Sequence, residues 1–150
     1  MVEKLQTIRQ ALIYLLAMKQ KLEGSIIIPA NVLPWDHELK TAQALALHGY
    51  IVEFVAVSNR RNVKSADIMI SGELYEIKSP VASKLSAVER NLKRAYRQST
   101  NIIFDSRRMK CLPDKSIQKE LIKQFKLTKN IKHMLFVNRK HEVIDIRALA

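Results

Sequence analysis

The sequence contains little cysteine and glycine, and these shortages exclude several kinds of functional site. Cys111 is the only cysteine in 150 residues, so the chain forms no internal disulfide and has no cysteine-based zinc site. Only three glycines are present, which excludes a glycine-rich phosphate-binding loop. The four histidines, His37, His48, His133 and His141, do not have the spacing of a metal site. Any chemistry must therefore come from other residue types.

Long hydrophobic runs are also absent. No apolar stretch approaches the roughly 18 residues that span a bilayer, and the N-terminal segment lacks the small-residue cleavage site of a signal peptide. We therefore expect no membrane partner, and a reducing cytoplasm as the site of action. With 47% hydrophobic residues, a chain of this length can bury a core as one domain.

Acidic residues are scarce in one contiguous part of the chain. Residues 84–140 contain 16 of the 26 Lys and Arg residues but only 4 of the 14 acidic residues, and so carry the whole net charge of +12. This asymmetry predicts a polyanionic partner, with nucleic acid ahead of an anionic membrane. The alternative is a solubility charge on exposed helices.

Residue periodicity predicts alternating helices and strands. A first helix is predicted over 4–22, and its candidate buried stripe consists of Leu5, Ile8, Leu12, Leu15, Leu16 and Met18. A second helix is predicted from Asp36, as its N-cap, to His48. Strands are predicted over 25–29, 50–57 and 101–105, and a basic loop over 58–65.

The second half of the chain predicts further helices. Residues 84–99 form an amphipathic pattern with a basic outer face. Another helix is predicted over 113–125, followed by a closing hairpin near the C-terminus. Trp35 and Tyr96 have the residue type for stacking on nucleic-acid bases, but we predict that both pack in the core.

A short apolar segment, 66-ADIMISGELYEIKSP-80, carries Asp67, Glu76 and Lys78. Apolar residues alternate on both sides of a Ser-Gly pair, which predicts a strand, a tight turn and a second strand. A turn at the Ser-Gly pair places Asp67 opposite Glu76, whereas a turn one residue later places Asp67 opposite Lys78. Because side chains alternate along a strand, both registers put the three charged residues on one face.

Two carboxylates at opposed strand positions repel each other unless positive charge lies between them. Their Cβ atoms are about 4.5–5.5 Å apart, which lets both share one cation. Mg²⁺ or Mn²⁺ held by Asp67 and Glu76 would activate water and polarise a phosphate, while Lys78 would orient or deprotonate that water. We therefore predict that this face opens to a cleft. The alternative is an exposed Glu76–Lys78 pair with Asp67 at a loop end.

The predicted element order is helix, three strands, helix, strand, with Asp67 on the second strand and Glu76-Ile77-Lys78 on the third. This pattern resembles the PD-(D/E)xK nuclease superfamily, whose core is αβββαβ. The wider phrase E–x3–A–x2–L–x3–G from Glu38, then AD, EIKSP and a basic helix ending in A-x-x-Q, is similar to the C-terminal nuclease domains of contact-dependent growth inhibition toxins, including members that cut tRNA. Ala66 stands where the superfamily motif has proline.

The predicted metal ligands are Asp67, Glu76 and the carbonyl of Ile77. The resemblance adds Glu38, which would reach the metal through water, and Gln98, which would position the water or a phosphate. Alternatively, Glu38 is a first-turn helix acid favoured by the macrodipole and Gln98 is an ordinary boundary residue. Six basic side chains are predicted to grip a nucleic-acid backbone, namely Arg90, Lys93, Arg94, Arg97, Arg107 and Arg108.

The predicted fold class is α/β (α+β), a mixed-sheet, restriction-endonuclease-like core in a single domain, 1–150. Residues 1–30 are assigned to an N-terminal helical extension, 36–105 to the αβββαβ core and 106–150 to a basic C-terminal helix and hairpin. The predicted function is a metal-dependent endonuclease acting on RNA such as tRNA or on DNA, with an acidic immunity protein implied by the resemblance. A non-catalytic nucleic-acid-binding module and a basic interaction protein are the alternatives, and homodimerisation stays open.

Overall fold

The computed structural model describes residues 1–22, 24–57 and 66–150. Its strands are β1 (Ser25–Ile27), β2 (Ile51–Phe54), β3 (Ile68–Ile70), β4 (Glu73–Lys78), β5 (Asn101–Asp105), β6 (His133–Val137) and β7 (Val143–Asp145). Its helices are α1 (Val2–Leu22), α2 (Asp36–Leu47), α3 (Ser86–Ala95), α4 (Asp114–Leu127) and α5 (Ile146–Leu149). The basic loop predicted over 58–65 lies outside the described residues.

All seven strands form one mixed sheet in the order β1 to β7. The β1–β2, β4–β5 and β5–β6 pairs are parallel, and the other neighbours are antiparallel. The succession α2, β2, β3, β4, α3, β5 is the predicted αβββαβ order, so the α+β fold class is confirmed. β6 and β7 extend the same sheet beyond that core.

Helices cover both faces of the sheet. Ala42 and Leu45 of α2 pack on one face, against a cluster that includes Ile68, Ile77 and Ile103. α3, α4 and α5 pack on the other face, against Phe104 and other buried residues of β5 and β6. Every residue of β5 is buried, which explains its continuous apolar run between two parallel neighbours.

The helix boundaries differ from the predictions by a few residues, and two of the differences bear on the site. α2 has Trp35, not Asp36, at its N-cap. α3 ends at Ala95 instead of continuing to residue 99. After the helix, the hydroxyl of Ser99 donates to the carbonyl of Leu74 at 2.7 Å, where the chain enters β5 and pairs with β4.

The first thirty residues are not entirely helical, because β1 lies within them and pairs with β2 at the edge of the sheet. The prediction of a buried stripe on α1 is wrong. Its six apolar residues are each at least 43% exposed, namely Leu5, Ile8, Leu12, Leu15, Leu16 and Met18. The helical periodicity is real, but these side chains are not packed in either core cluster. Within the described part of the chain, no helix is both long and apolar enough to cross a bilayer.

Candidate functional site

The β3–β4 hairpin adopts the first of the two predicted registers. Ser71 and Gly72 both have positive φ angles, 51° and 79°, as the tightest two-residue hairpin turn requires. Ile70 therefore pairs with Glu73, and Ile68 pairs with Tyr75. The next position outward brings Asp67 opposite Glu76.

Asp67, Glu76 and Lys78 come together next to the start of β3, where β4 ends. One carboxylate oxygen of Asp67, Oδ2, accepts the backbone N–H of Ile77 at 2.7 Å. The ammonium of Lys78 donates to Oε1 of Glu76, also at 2.7 Å. Asp67 is half-buried and Glu76 is only 6% exposed, so the cluster sits more deeply than an open cleft floor. The alternative of an exposed Glu76–Lys78 surface pair is therefore wrong.

The second carboxylate oxygen of Glu76 has no hydrogen-bond partner. Among the described residues, this Oε2 is the one buried side-chain polar atom left unpaired. Burial raises the pKa of Glu76 to about 7, although the hydrogen bond from Lys78 opposes that rise. Burial also raises the pKa of Asp67, against the hydrogen bond from Ile77 and the charge of Lys78. Both carboxyl groups are therefore harder to ionise than exposed ones, even with Lys78 in contact.

Glu38 lies at the margin of this cluster. Its carboxylate accepts the N–H of Trp35 at 3.2 Å, which is a helix-capping contact at the start of α2. Burial raises the pKa of Glu38, and the nearby charge of Asp67 raises it further. In residues 1–22, 24–57 and 66–150, no three His, Cys, Asp or Glu side chains are grouped to hold a metal ion. Of the predicted metal ligands, the structure thus brings together Asp67 and Glu76, with Glu38 beside them.

Ile77 contacts Asp67 through its N–H, and its side chain belongs to the hydrophobic core. Gln98 is not brought to the cluster. It is exposed in the turn after α3, next to Ser99, whose hydroxyl contacts Leu74 near the start of β4. Lys78 is at the opposite end of the same strand. The topology explains this separation, because β4 and β5 are parallel and α3 returns the chain to the end of the sheet where both strands start.

The six predicted basic side chains divide into two groups. Arg90, Lys93, Arg94 and Arg97 line a shallow groove on the outer face of α3, together with Glu89. Lys93 and Glu89 form an ion pair at 2.7 Å there. Arg107 and Arg108 instead line a cleft of about 480 Å³ where β4 and β5 end.

This cleft contains residues that the sequence did not single out as functional. Asp105, at the end of β5, is 1% exposed and accepts the hydroxyl of Thr41 at 2.6 Å. Its carboxylate also accepts from the guanidinium of Arg107, at 2.7 Å from Nη2. The one signal for Asp105 in the sequence was a carboxylate at the end of an apolar strand, since crevices for ligands form at the carboxyl ends of parallel strands.

Residues 64–143 match the family model described as the contact-dependent growth inhibition CdiA C-terminal domain. The chain belongs to this family. No curated protein matches the sequence.

This CdiA C-terminal domain also has a solved structural relative, described as a CdiA-CT/CdiI toxin and immunity complex from Burkholderia pseudomallei. The two share 15% sequence identity with a TM-score of 0.61, and the match covers 81% of this chain and 98% of the other. At that identity the likeness shows a shared fold.

The family match includes the hairpin with Asp67, Glu76 and Lys78, and the cleft residues from Asp105 to His141. It leaves out α2 of this CdiA C-terminal domain, and with it Glu38 and Thr41. Trp35 lies outside the matched residues too. It is 70% exposed, so its predicted core packing is wrong, whereas Tyr96 is half-buried against the core as predicted.

Proposed function

We propose that this CdiA C-terminal domain is a toxin nuclease of the PD-(D/E)xK type that cleaves RNA such as tRNA, or DNA, with Mg²⁺ or Mn²⁺. The observation that carries the proposal is the buried, unpaired Oε2 of Glu76 beside Asp67. An unpaired buried carboxylate oxygen costs free energy. Once Glu76 is deprotonated, this oxygen needs a positive partner, which a cation shared with Asp67 would supply.

The residues fit a divalent cation. Mg²⁺ prefers oxygen ligands and commonly uses one or two carboxylates, and Asp67 and Glu76 supply them, with Glu38 at the margin. When bound, such an ion would polarise the scissile phosphate and help to activate the attacking water.

Lys78 contributes through its remaining hydrogen-bond donors. An ammonium has three N–H groups, and one of them binds Glu76. Its side chain is 22% exposed, which leaves it accessible to a substrate. The other donors hydrogen-bond the attacking water or a phosphate oxygen and so stabilise the negative charge that develops during cleavage.

An immunity protein is the proposed protein partner. The structural relative is a toxin in complex with an immunity protein. This chain carries a net charge of +12, so an acidic partner complements it. We expect that an acidic immunity protein blocks cleavage, and that the toxin acts in the cytoplasm of the target cell.

The deciding experiment incubates the purified chain with total tRNA, plasmid and single-stranded DNA, each with Mg²⁺, Mn²⁺ or EDTA. Cleavage of at least one substrate with metal, and none in EDTA, is the expected result. Glu76→Gln should lose this activity, while Glu3→Gln, an exposed carboxylate on α1, is the matched control. Binding without cleavage under every metal condition would instead support the non-catalytic module.

A further inference from the structure

We infer that the cleft beside the Asp67–Glu76–Lys78 cluster is the subsite for the backbone phosphate next to the cleaved bond, and that Asp105 with Thr41 positions Arg107 in it. The inference rests on the proposed nuclease function. It assigns the main contacts with the substrate backbone to this cleft and not to the basic face of α3.

The cleft lies next to the candidate active site. Ser79 follows Lys78 at the end of β4 and lines the cleft. The guanidinium of Arg108 donates to the carbonyl of Ser79 at 3.0 Å. His37, one residue before Glu38, lines the same cleft. Burial and the charge of Arg108 lower the pKa of His37, and the charge of nearby Asp67 opposes this. A nucleic-acid strand bound in this cleft would therefore pass close to the carboxylate pair.

Positive charge dominates the walls of the cleft. The charged side chains that line it are five Lys or Arg residues and one carboxylate, namely Lys40, Arg107, Arg108, Lys110, Arg139 and Asp105. Lys40 is paired with Asp36, and Arg139 lies 3.7 Å from Asp114. Arg107 is paired with Asp105. Arg108 and Lys110, in contrast, form no ion pair within 4 Å in the described residues. Clustered cations without counter-charges favour an anionic ligand.

Arg107 is held in one orientation. Asp105 accepts from its backbone N–H and from its Nε, both at 3.0 Å, and from Nη2 at 2.7 Å. The remaining Nη1 lies 3.2 Å from Nδ1 of His141, and since arginine only donates, this nitrogen of His141 accepts. A guanidinium fixed in this way loses little entropy when it binds a phosphate.

Thr41 completes the positioning. Its hydroxyl donates to Asp105 at 2.6 Å and links α2 to the end of β5 across 64 residues of sequence. Asp105 is only 1% exposed, so its carboxylate does not contact substrate itself. Asp105 and Thr41 are therefore positioning residues, and Arg107 and Arg108 are the groups that contact phosphate.

The α3 groove is a weaker candidate for these contacts. Its four cations are exposed, and Lys93 is already paired with Glu89. Its lining residues all lie on α3 or in the turn directly after it, from Ser86 to Arg97, so no other element forms a wall. Long, exposed side chains on an open face attract nucleic acid in a salt-sensitive way, but they do little to orient its phosphates.

The first test measures binding of short single-stranded RNA and DNA in EDTA, where cleavage does not interfere. Arg108→Ala should weaken binding by about tenfold and lower the salt slope by about 0.7, the loss of one phosphate contact on a single strand. Lys119→Ala, an exposed change on α4, should leave both unchanged. If Arg94→Ala on α3 has the larger effect, or Arg108→Ala binds like wild type, the inference is overturned and the cleft is free for an acidic protein partner.

The second test examines positioning with a matched pair at Thr41. Thr41→Val keeps the shape and loses the hydroxyl, whereas Thr41→Ser keeps the hydroxyl. We expect Thr41→Val to raise KM several-fold, with kcat within about twofold of wild type. Thr41→Ser should keep the KM of wild type. Equal behaviour of the two variants would overturn the positioning role. If wild type does not cleave with any metal, the nuclease proposal fails, while the binding test in EDTA still decides the cleft.

Discussion

Glu76→Gln should make the stability of the metal-free protein less dependent on pH. In the folded state burial raises the pKa of Glu76 from 4.5 to about 7. The folded protein therefore holds a proton that the unfolded chain has released, and wild type loses stability as the pH rises through about 7. Glutamine does not titrate, so the variant escapes this loss.

The size of the effect follows from the same pKa values. At about 1.36 kcal/mol for each pH unit, the difference between 4.5 and about 7 corresponds to about 3 kcal/mol in total. Between pH 5 and pH 8, wild type should lose about 2–3 kcal/mol of unfolding free energy relative to Glu76→Gln.

The assay is urea unfolding in EDTA at both pH values, with Glu3→Gln as the control for removing one exposed carboxylate. Adding Mg²⁺ at pH 8 should recover stability in wild type and not in Glu76→Gln, because a bound ion stabilises the folded state. Parallel pH profiles for wild type and Glu76→Gln would refute the reasoning, since they would mean that burial does not raise the pKa of Glu76 in the folded protein.

Three further predictions concern the candidate active site, an exposed tryptophan and the hydrophobic core. Lys78→Ala should reduce cleavage by about 10²–10³-fold, and Asp67→Ala should abolish it with nucleic-acid binding retained, as measured by cleavage and binding assays side by side; wild-type rates in both would place the site elsewhere. Trp35→Ala should change unfolding free energy by less than about 0.5 kcal/mol, because the side chain is 70% exposed. Phe104→Ala should cost about 3–5 kcal/mol in urea unfolding, because that side chain is fully buried, and a loss below 1 kcal/mol would contradict the core assignment.

The sequence predicted what depends on local pattern. The hairpin around Ser71 and Gly72 was readable because alternation and turn residues lie within a few positions of each other. The αβββαβ order was readable for the same reason, and the grouping of Asp67 with Glu76 follows from the register alone.

The sequence did not predict what depends on contacts between distant parts of the chain. Thr41 and Asp105 are 64 residues apart, and no local pattern joins them. The apolar stripe of α1 was real as a periodicity, yet periodicity does not show whether a partner surface exists. The resemblance placed Gln98 late in the helix after the motif, but α3 ends at Ala95 and the chain turns there to start β5.

The edges of the sheet limit how another protein can attach to it. Both edge strands, β1 and β7, are only three residues long. A partner that adds its own strand to either edge would gain few backbone hydrogen bonds, and copies of the domain gain equally little from each other. We therefore expect a tight partner, such as the proposed immunity protein, to recognise mainly side chains. The pattern of charges on the surface, rather than the backbone, would then decide which partner binds.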